Sequence, residues 1–323
     1  MDSVAVSEHI HNRYMGALLG LAAGDALGAP FEGLEPGSFA TPNELTGGGP
    51  YGLEPGQWTD DTSLALCLAV SLVESRGFDP ADQMRRYLRW KNEGYLSSTG
   101  RCFGIGGTTR AALERFEASG EPMAGVDDPQ AAGNGSLMRL APIPMYLIHD
   151  ASRAKDVAAM MSKTTHAAVE AVDACRYMTG IMIGALRGES KEHLLSDLYS
   201  PVYNYWFFQQ SVLTPRIDAI ARGEYKHKEA KDLRAGAYVV DTLEAALWCF
   251  HKTDNFRDGA MLAVSLGNDT DTTAAVYGQL AGAYYGQEAI PQSWRDKIAQ
   301  RAVIEYLAEG LLRETKQGIR HFV

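Results

Sequence analysis

The chain has 323 residues, 46% of them hydrophobic and 22% charged, a composition that excludes a disordered or fibrous protein. Thirty basic against 40 acidic residues leave a net charge of -10. That excludes nonspecific nucleic-acid binding, whose affinity rests on neutralising phosphates with Lys and Arg, so any anionic ligand must be held locally.

The N-terminal residues 1–10 carry Asp2 and Glu8 and lack the basic-then-apolar order of a secretory signal, and no uninterrupted apolar run approaches about 18 residues. No membrane association is expected, and the expected location is the cytoplasm. Apolar residues at helical spacing (Tyr14, Leu18, Leu21, Ala22) predict a helix over 11–29. The run Gly24-Asp25-Ala26-Leu27-Gly28-Ala29-Pro30 predicts that it ends in a turn. Residues 31–57 are rich in Gly and Pro, which predicts an irregular loop suited to lying over a site.

After Thr59, Leu64, Leu68, Leu72 and Val73 predict a helix as far as Arg76-Gly77, and residues 80–91 read as another. Helical periodicity recurs over 108–118, 151–161, 166–186, 239–251, 256–266, 272–285 and 291–312. No alternating run is long enough for a convincing sheet, so the expected class is all-α. The least regular stretch, near 194–238, holds Tyr199, Tyr203, Tyr205, Trp206, Phe207 and Phe208 and then Lys226-His227-Lys228-Glu229. It reads as an irregular insertion or as a core-packing helix pair. No composition break marks a linker, so residues 1–323 are expected to form a single domain. Cys67, Cys102, Cys175 and Cys249 form no C-x-x-C pair, which argues against a zinc knuckle or a thioredoxin-type redox site.

Two acidic clusters carry the chemistry: Thr59-Asp60-Asp61-Thr62 and Asn268-Asp269-Thr270-Asp271-Thr272, each at a predicted helix start. Asp and Thr favour such positions as caps. A cap uses one acidic residue, however, and here four carboxylates are crowded in two pairs whose repulsion a helix end would not offset. A bound cation would remove it. The pattern points to two helix starts meeting around a pair of hard divalent cations.

Between the clusters, Gly133-Asn134-Gly135-Ser136-Leu137-Met138-Arg139 is a glycine loop whose backbone N–H groups could hold phosphate oxygens, although such loops more often simply reverse the chain. Residues 97–108 add hydroxyls, Arg101 and Phe103, which could serve a diphosphate and a stacked base. His166 follows Thr164-Thr165 at another helix start, as either a structural residue or a ligand contact.

The combination of Gly24-Asp25-Ala26-Leu27-Gly28, Glu32, Trp58-Thr59-Asp60-Asp61-Thr62, the glycine loop ending at Arg139, Thr165-His166 and Asn268-Asp269-Thr270-Asp271-Thr272 resembles the ADP-ribosylglycohydrolases. These include the ADP-ribosyl-acceptor hydrolases and the dinitrogenase reductase-activating glycohydrolases. The resemblance implies a compact all-α orthogonal bundle with a binuclear Mg2+ or Mn2+ centre. It implies an enzyme that cleaves the glycosidic bond between ADP-ribose and a modified protein side chain. By position, Thr59, Asp60, Asp61, Asp269, Asp271 and Thr272 would hold the metals. Glu32, Asp61 and Asp269 would take part in catalysis. Phe103, Gly104, Gly106, Gly107, Gly133, Asn134, Gly135, Ser136 and His166 would bind ADP-ribose.

One departure bears on the acceptor. Arginine-directed bacterial members of the family are expected to carry an acidic residue where this chain has Gly104, yet the surrounding 96–103 still resembles that type. ADP-ribosyl-arginine is the first expectation, with serine or ester linkages next. Two other classes remain open: an ADP-ribose-binding or toxin-neutralising immunity protein with weak turnover, and a two-metal phosphohydrolase acting on a nucleotide.

Overall fold

The computed structural model describes residues 3–202 and 213–320. The helices among them are α1 (Ser3–Gly28), α2 (Asp60–Glu74), α3 (Pro80–Glu93), α4 (Gly107–Ser119), α5 (Pro142–Tyr146), α6 (Ala151–Lys163), α7 (Val169–Arg187), α8 (Lys191–Leu194), α9 (Pro215–Ala221), α10 (Val239–Lys252), α11 (Phe256–Ser265), α12 (Thr270–Tyr285), α13 (Gln292–Lys297) and α14 (Arg301–Arg320). Extended pairing among the described residues is confined to isolated bridges, such as Gly133 with Tyr238. The fold is all-α, as the periodicity predicts.

Its centre is the antiparallel pair α1 and α12, which touch backbone to backbone. A Cβ built on Gly16 would lie 2.2 Å from Gly282 O, on Gly20 2.3 Å from Gly278 O, on Gly24 2.0 Å from Ala274 O and on Gly28 2.4 Å from Thr270 O. Spacing of four residues stacks these glycines on one face of α1, leaving no room for side chains between the axes. This corrects the turn expected from Gly24 onward. The glycines there serve close approach, and α1 stays helical to Gly28 before a short 3-10 turn over Ala29–Phe31. The C-terminal end of α1 and the N-terminal end of α12 therefore meet, which brings Asp25 beside the 269–272 cluster.

The surrounding helices close the core. α14 packs on α1 and α2, α3 packs on α2, and α7 packs on α6 and α12; Tyr14, Trp58, Trp90, Tyr277 and Trp294 are fully buried among them. Two predicted helices differ from those found. The one expected over 166–186 begins at Val169, so His166 lies in the connection before α7. The one expected over 291–312 is divided into α13 and α14 by residues 298–300, where Gln300 takes a φ of 52°. The break docks on the loop before α2: Ala299 N donates to Gly56 O at 2.9 Å, and Trp58 Nε1 donates to Ala299 O at 3.0 Å. Tyr203, Tyr205, Trp206, Phe207 and Phe208 lie outside the described residues, whereas Tyr199 is buried and donates to Glu189 at 2.8 Å.

Candidate metal and ligand site

Neither N-cap residue, Thr59 before α2 or Asp269 before α12, makes a side-chain cap hydrogen bond, and of the acidic side chains Asp271 takes a first-turn amide of its own helix, that of Thr272 at 2.9 Å. The side chains turn instead into the space where the two helix starts meet. Thr59 Oγ1 lies 3.2 Å from Asp61 Oδ2 and 3.4 Å from Asp271 Oδ2, and Thr272 Oγ1 lies 3.5 Å from Asp61 Oδ2. Asp25, absent from the expected site residues, organises this cluster from α1. Fully buried, it accepts from Thr59 and Thr62 through four hydrogen bonds of 2.6–3.0 Å. The available signal was a carboxylate standing alone in the Ala, Leu and Gly run of α1.

Burial raises the pKa values of Asp60, Asp61 and Asp271 well above the ordinary carboxylate range, and the neighbouring carboxylates raise them further. Asp61 Oδ1 is buried with no hydrogen-bond partner among the described residues. Crowded, desolvated oxygen acceptors of this kind match a hard divalent cation. Among the described residues, no group of three or more His, Cys, Asp and Glu side chains makes a metal cage by itself. The Thr59 and Thr272 hydroxyls stand beside these carboxylates, and an all-oxygen set of this kind would suit Mg2+ or Mn2+ better than Zn2+.

The cluster forms one end of a cavity of about 410 Å³, lined also by Glu32, Asp269, Gly104, Gly106, Gly107, Gly133, Asn134, Gly135 and His166. The expected residues thus converge, with two exceptions. Ser136 is fully buried and its hydroxyl turns into the core, 2.7 Å from Ser162 Oγ and accepting from the Cys175 thiol at 3.4 Å. Phe103 walls a neighbouring cavity of about 500 Å³ that shares Gly104 with the first; its ring centroid lies 5.1 Å from that of Tyr51. Asn134 joins the two ends of the site, its Nδ2 donating to Asp269 Oδ2 at 2.7 Å and to Thr242 Oγ1 at 2.9 Å.

Glu32 is half-buried, and burial raises its pKa, as do Asp269 and Asp25, against a hydrogen bond from Tyr51 that lowers it. Tyr51, with no distinguishing signal in the sequence, therefore stands beside Glu32 at this end of the cavity. Gly104 has a φ of 75°, and a Cβ built there would lie 2.6 Å from Asp60 Oδ1. The departure from an acidic residue at this position has a physical reason: the backbone is left-handed, and the space a side chain would enter is filled by Asp60.

Comparison with known proteins agrees with this geometry. Residues 7–320 match the ADP-ribosylglycohydrolase family. The ADP-ribosylarginine hydrolase Tri1 of Pseudomonas putida (strain GB-1) is 42% identical over 310 residues, covering 96% of this chain and 80% of that protein. The ADP-ribosyl-[dinitrogen reductase] glycohydrolase of Rhodospirillum rubrum is 30% identical over 293 residues, covering 90% and 91%. A solved structure described as an ADP-ribosylglycohydrolase-related protein complex superposes with a TM-score of 0.83 at 44% identity, covering 95% of this chain and 99% of that one. With its two acidic helix starts facing a glycine loop across one cavity, the chain belongs to the ADP-ribosylglycohydrolase family.

Proposed function

We propose that the protein is a metal-dependent hydrolase that releases ADP-ribose from modified arginine side chains. The observation that carries this reading is the convergence of Asp60, Asp61, Asp269 and Asp271 at one end of a cavity that has Gly133, Gly135 and His166 along its wall. The names of the relatives from Pseudomonas putida and Rhodospirillum rubrum support the chemistry, and the former supports arginine as the acceptor.

Thr59, Asp60, Asp61, Asp269, Asp271 and Thr272 would hold two divalent cations, Mg2+ or Mn2+, which supply Lewis acidity and a lowered pKa for water at the ribose end. The protein's own groups do the rest. Breaking the bond at the anomeric carbon develops positive charge on the ribose, which the Asp61 and Asp269 carboxylates stabilise. Glu32, with its raised pKa and its place at the cavity wall, is suited to pass a proton to the departing side chain. Gly133 and Asn134 already donate their N–H groups to Ala131 O and Ala237 O. The amides of Leu137 and Met138 are likewise committed, to Asn134 O, so the hold on the diphosphate falls to the Gly135 and Ser136 amides and to His166. Ser136 contributes only through its backbone.

We read the chain as a single domain, supported by a core that runs continuously from Tyr14 to Leu312. We place it in the cytoplasm, where its four free cysteines, Cys67, Cys175 and Cys249 of them buried, would stay reduced. The test is release of free ADP-ribose from matched arginine-linked and serine-linked ADP-ribosyl peptides. Faster release from arginine is expected, and preference for serine would overturn the acceptor assignment.

A further inference from the structure

Arg139, at the end of the glycine loop, is fully buried. Its Nη2 donates to Thr165 Oγ1 at 2.6 Å, its guanidinium carbon stands 4.7 Å over the Tyr87 ring, and its Nε and Nη1 have no hydrogen-bond partner among the described residues. A guanidinium buried with so few partners is costly, and among the described residues its hydrogen bonding rests on Thr165.

Thr165 Oγ1 also lies 2.8 Å from His166 Nδ1. Because a guanidinium only donates, the Thr165 oxygen accepts from Arg139; its second lone pair could take an Nδ1–H, but its own hydrogen would then lack an acceptor, since Nδ1 is the one acceptor within reach among the described residues. Nδ1 therefore carries no proton, and the neutral ring keeps its hydrogen on Nε2. The backbone of His166 is fixed as well: its N–H donates to Ser162 O at 2.7 Å, and its carbonyl accepts from the Ser162 hydroxyl at 2.8 Å. The Nε2 edge is left open by the glycine loop, since a Cβ on Gly135 would lie 3.1 Å from Nε2 and one on Gly133 3.4 Å away.

We propose that Arg139 is a positioning residue that acts through Thr165 to hold His166 as the Nε2–H tautomer, aimed as a donor at an oxygen of bound ADP-ribose. The inference rests on reading this cavity as the ADP-ribose site, and it extends that reading to a side chain that does not touch the ligand. Burial, helped by the nearby Arg139 charge, pushes the His166 pKa down to about 3, so the ring stays neutral at working pH. Replacing Arg139 would leave the fold largely packed but free the Thr165 hydroxyl to rotate, and the ring could then take either tautomer.

The test uses the full chain labelled with 15N-histidine, with ring nitrogen spectra recorded without ligand and the His166 signal assigned by its loss in His166→Asn. Wild type and Thr165→Ser should show the Nε2–H tautomer alone. Arg139→Met and Thr165→Val should show mixed or Nδ1–H tautomers and bind ADP-ribose about tenfold more weakly by calorimetry, the loss of roughly one hydrogen bond. If Arg139→Met does not fold, Thr165→Val still decides, because it breaks the same link with little change of shape. A Thr165→Val protein that keeps the Nε2–H tautomer would overturn the proposal, as would a wild-type His166 found as Nδ1–H or as imidazolium. Failure of the wild type to bind ADP-ribose would instead overturn the assignment of the cavity, while leaving the tautomer result intact.

Discussion

Asp25 Oδ1 accepts both the backbone N–H and the hydroxyl of Thr59, each at 2.9 Å. Its second oxygen takes the corresponding pair from Thr62, at 3.0 Å and 2.6 Å. The end of α1 thus fixes the start of α2, and committing the Thr59 hydroxyl hydrogen to Asp25 turns the oxygen lone pairs toward Asp61 and Asp271. A threonine held this way can serve as a neutral metal ligand.

Asp25→Asn tests that role. The amide oxygen can replace one carboxylate oxygen, but the amide NH2 cannot accept from Thr62, so two buried donors lose their acceptor at a cost of about 1–3 kcal/mol. The variant should unfold at lower urea concentration and turn over at least about tenfold more slowly. Wild-type stability and turnover together would show that the clamp does not matter.

The contact between α1 and α12 makes a sharper stability prediction. Gly24→Ala would drive a Cβ to 2.0 Å from Ala274 O, backbone against backbone, where neither helix can yield locally. Destabilisation of about 3 kcal/mol or more, or failure to fold, is expected. Gly106→Ala is the control: its φ is -64°, and a Cβ there meets nothing within 4 Å. Equal urea midpoints for the two variants would contradict the close packing.

Restoring the acidic residue expected in arginine-directed relatives should harm this protein. Gly104→Asp places a side chain at a φ of 75° and against Asp60 Oδ1, adding strain and a further carboxylate to the cluster. Release of ADP-ribose from an arginine-linked peptide should fall at least about tenfold. An increase would mean that the loop rearranges to accept it.

His166 supplies a pH signature. Its folded pKa of about 3 lies below its ordinary 6.5 because burial disfavours the charged ring. The unfolded chain therefore binds a proton that the folded chain refuses, so this group's contribution to stability is intact above pH 6.5 and is lost as pH falls from there toward 3. Between neutral pH and pH 4 the loss is of order 3 kcal/mol. His166→Gln cannot titrate and should lose correspondingly less over the same interval in urea unfolding. Parallel pH dependence in the two proteins would mean that the ring is accessible to protonation in the native state.

The site was legible in the sequence wherever chemistry required a residue type rather than a shape. The two Asp/Thr clusters betray themselves because four carboxylates exceed what helix capping explains, and in the structure neither N-cap residue, Thr59 or Asp269, makes a cap hydrogen bond. The packing role of Gly24 and Gly28 was not legible from a turn-based view of glycine, since the same residue permits a turn and a close helix contact. The four-residue repeat from Gly16 was the available sign. That the Ser136 hydroxyl turns into the core was not legible, because a motif fixes order along the loop but not which side chains turn inward. Tyr51 and Arg139 meet Glu32 and Thr165 only once the chain has folded.

The most direct test of the account is release of free ADP-ribose from an arginine-linked ADP-ribosyl protein, measured with Mg2+ or Mn2+, with chelator, and with Asp271→Asn. Release that requires the cation and falls at least about a hundredfold in Asp271→Asn, with free ADP-ribose as product, is the predicted result. Undiminished release in chelator, or by Asp271→Asn, would contradict the claim that the two helix starts form one metal centre.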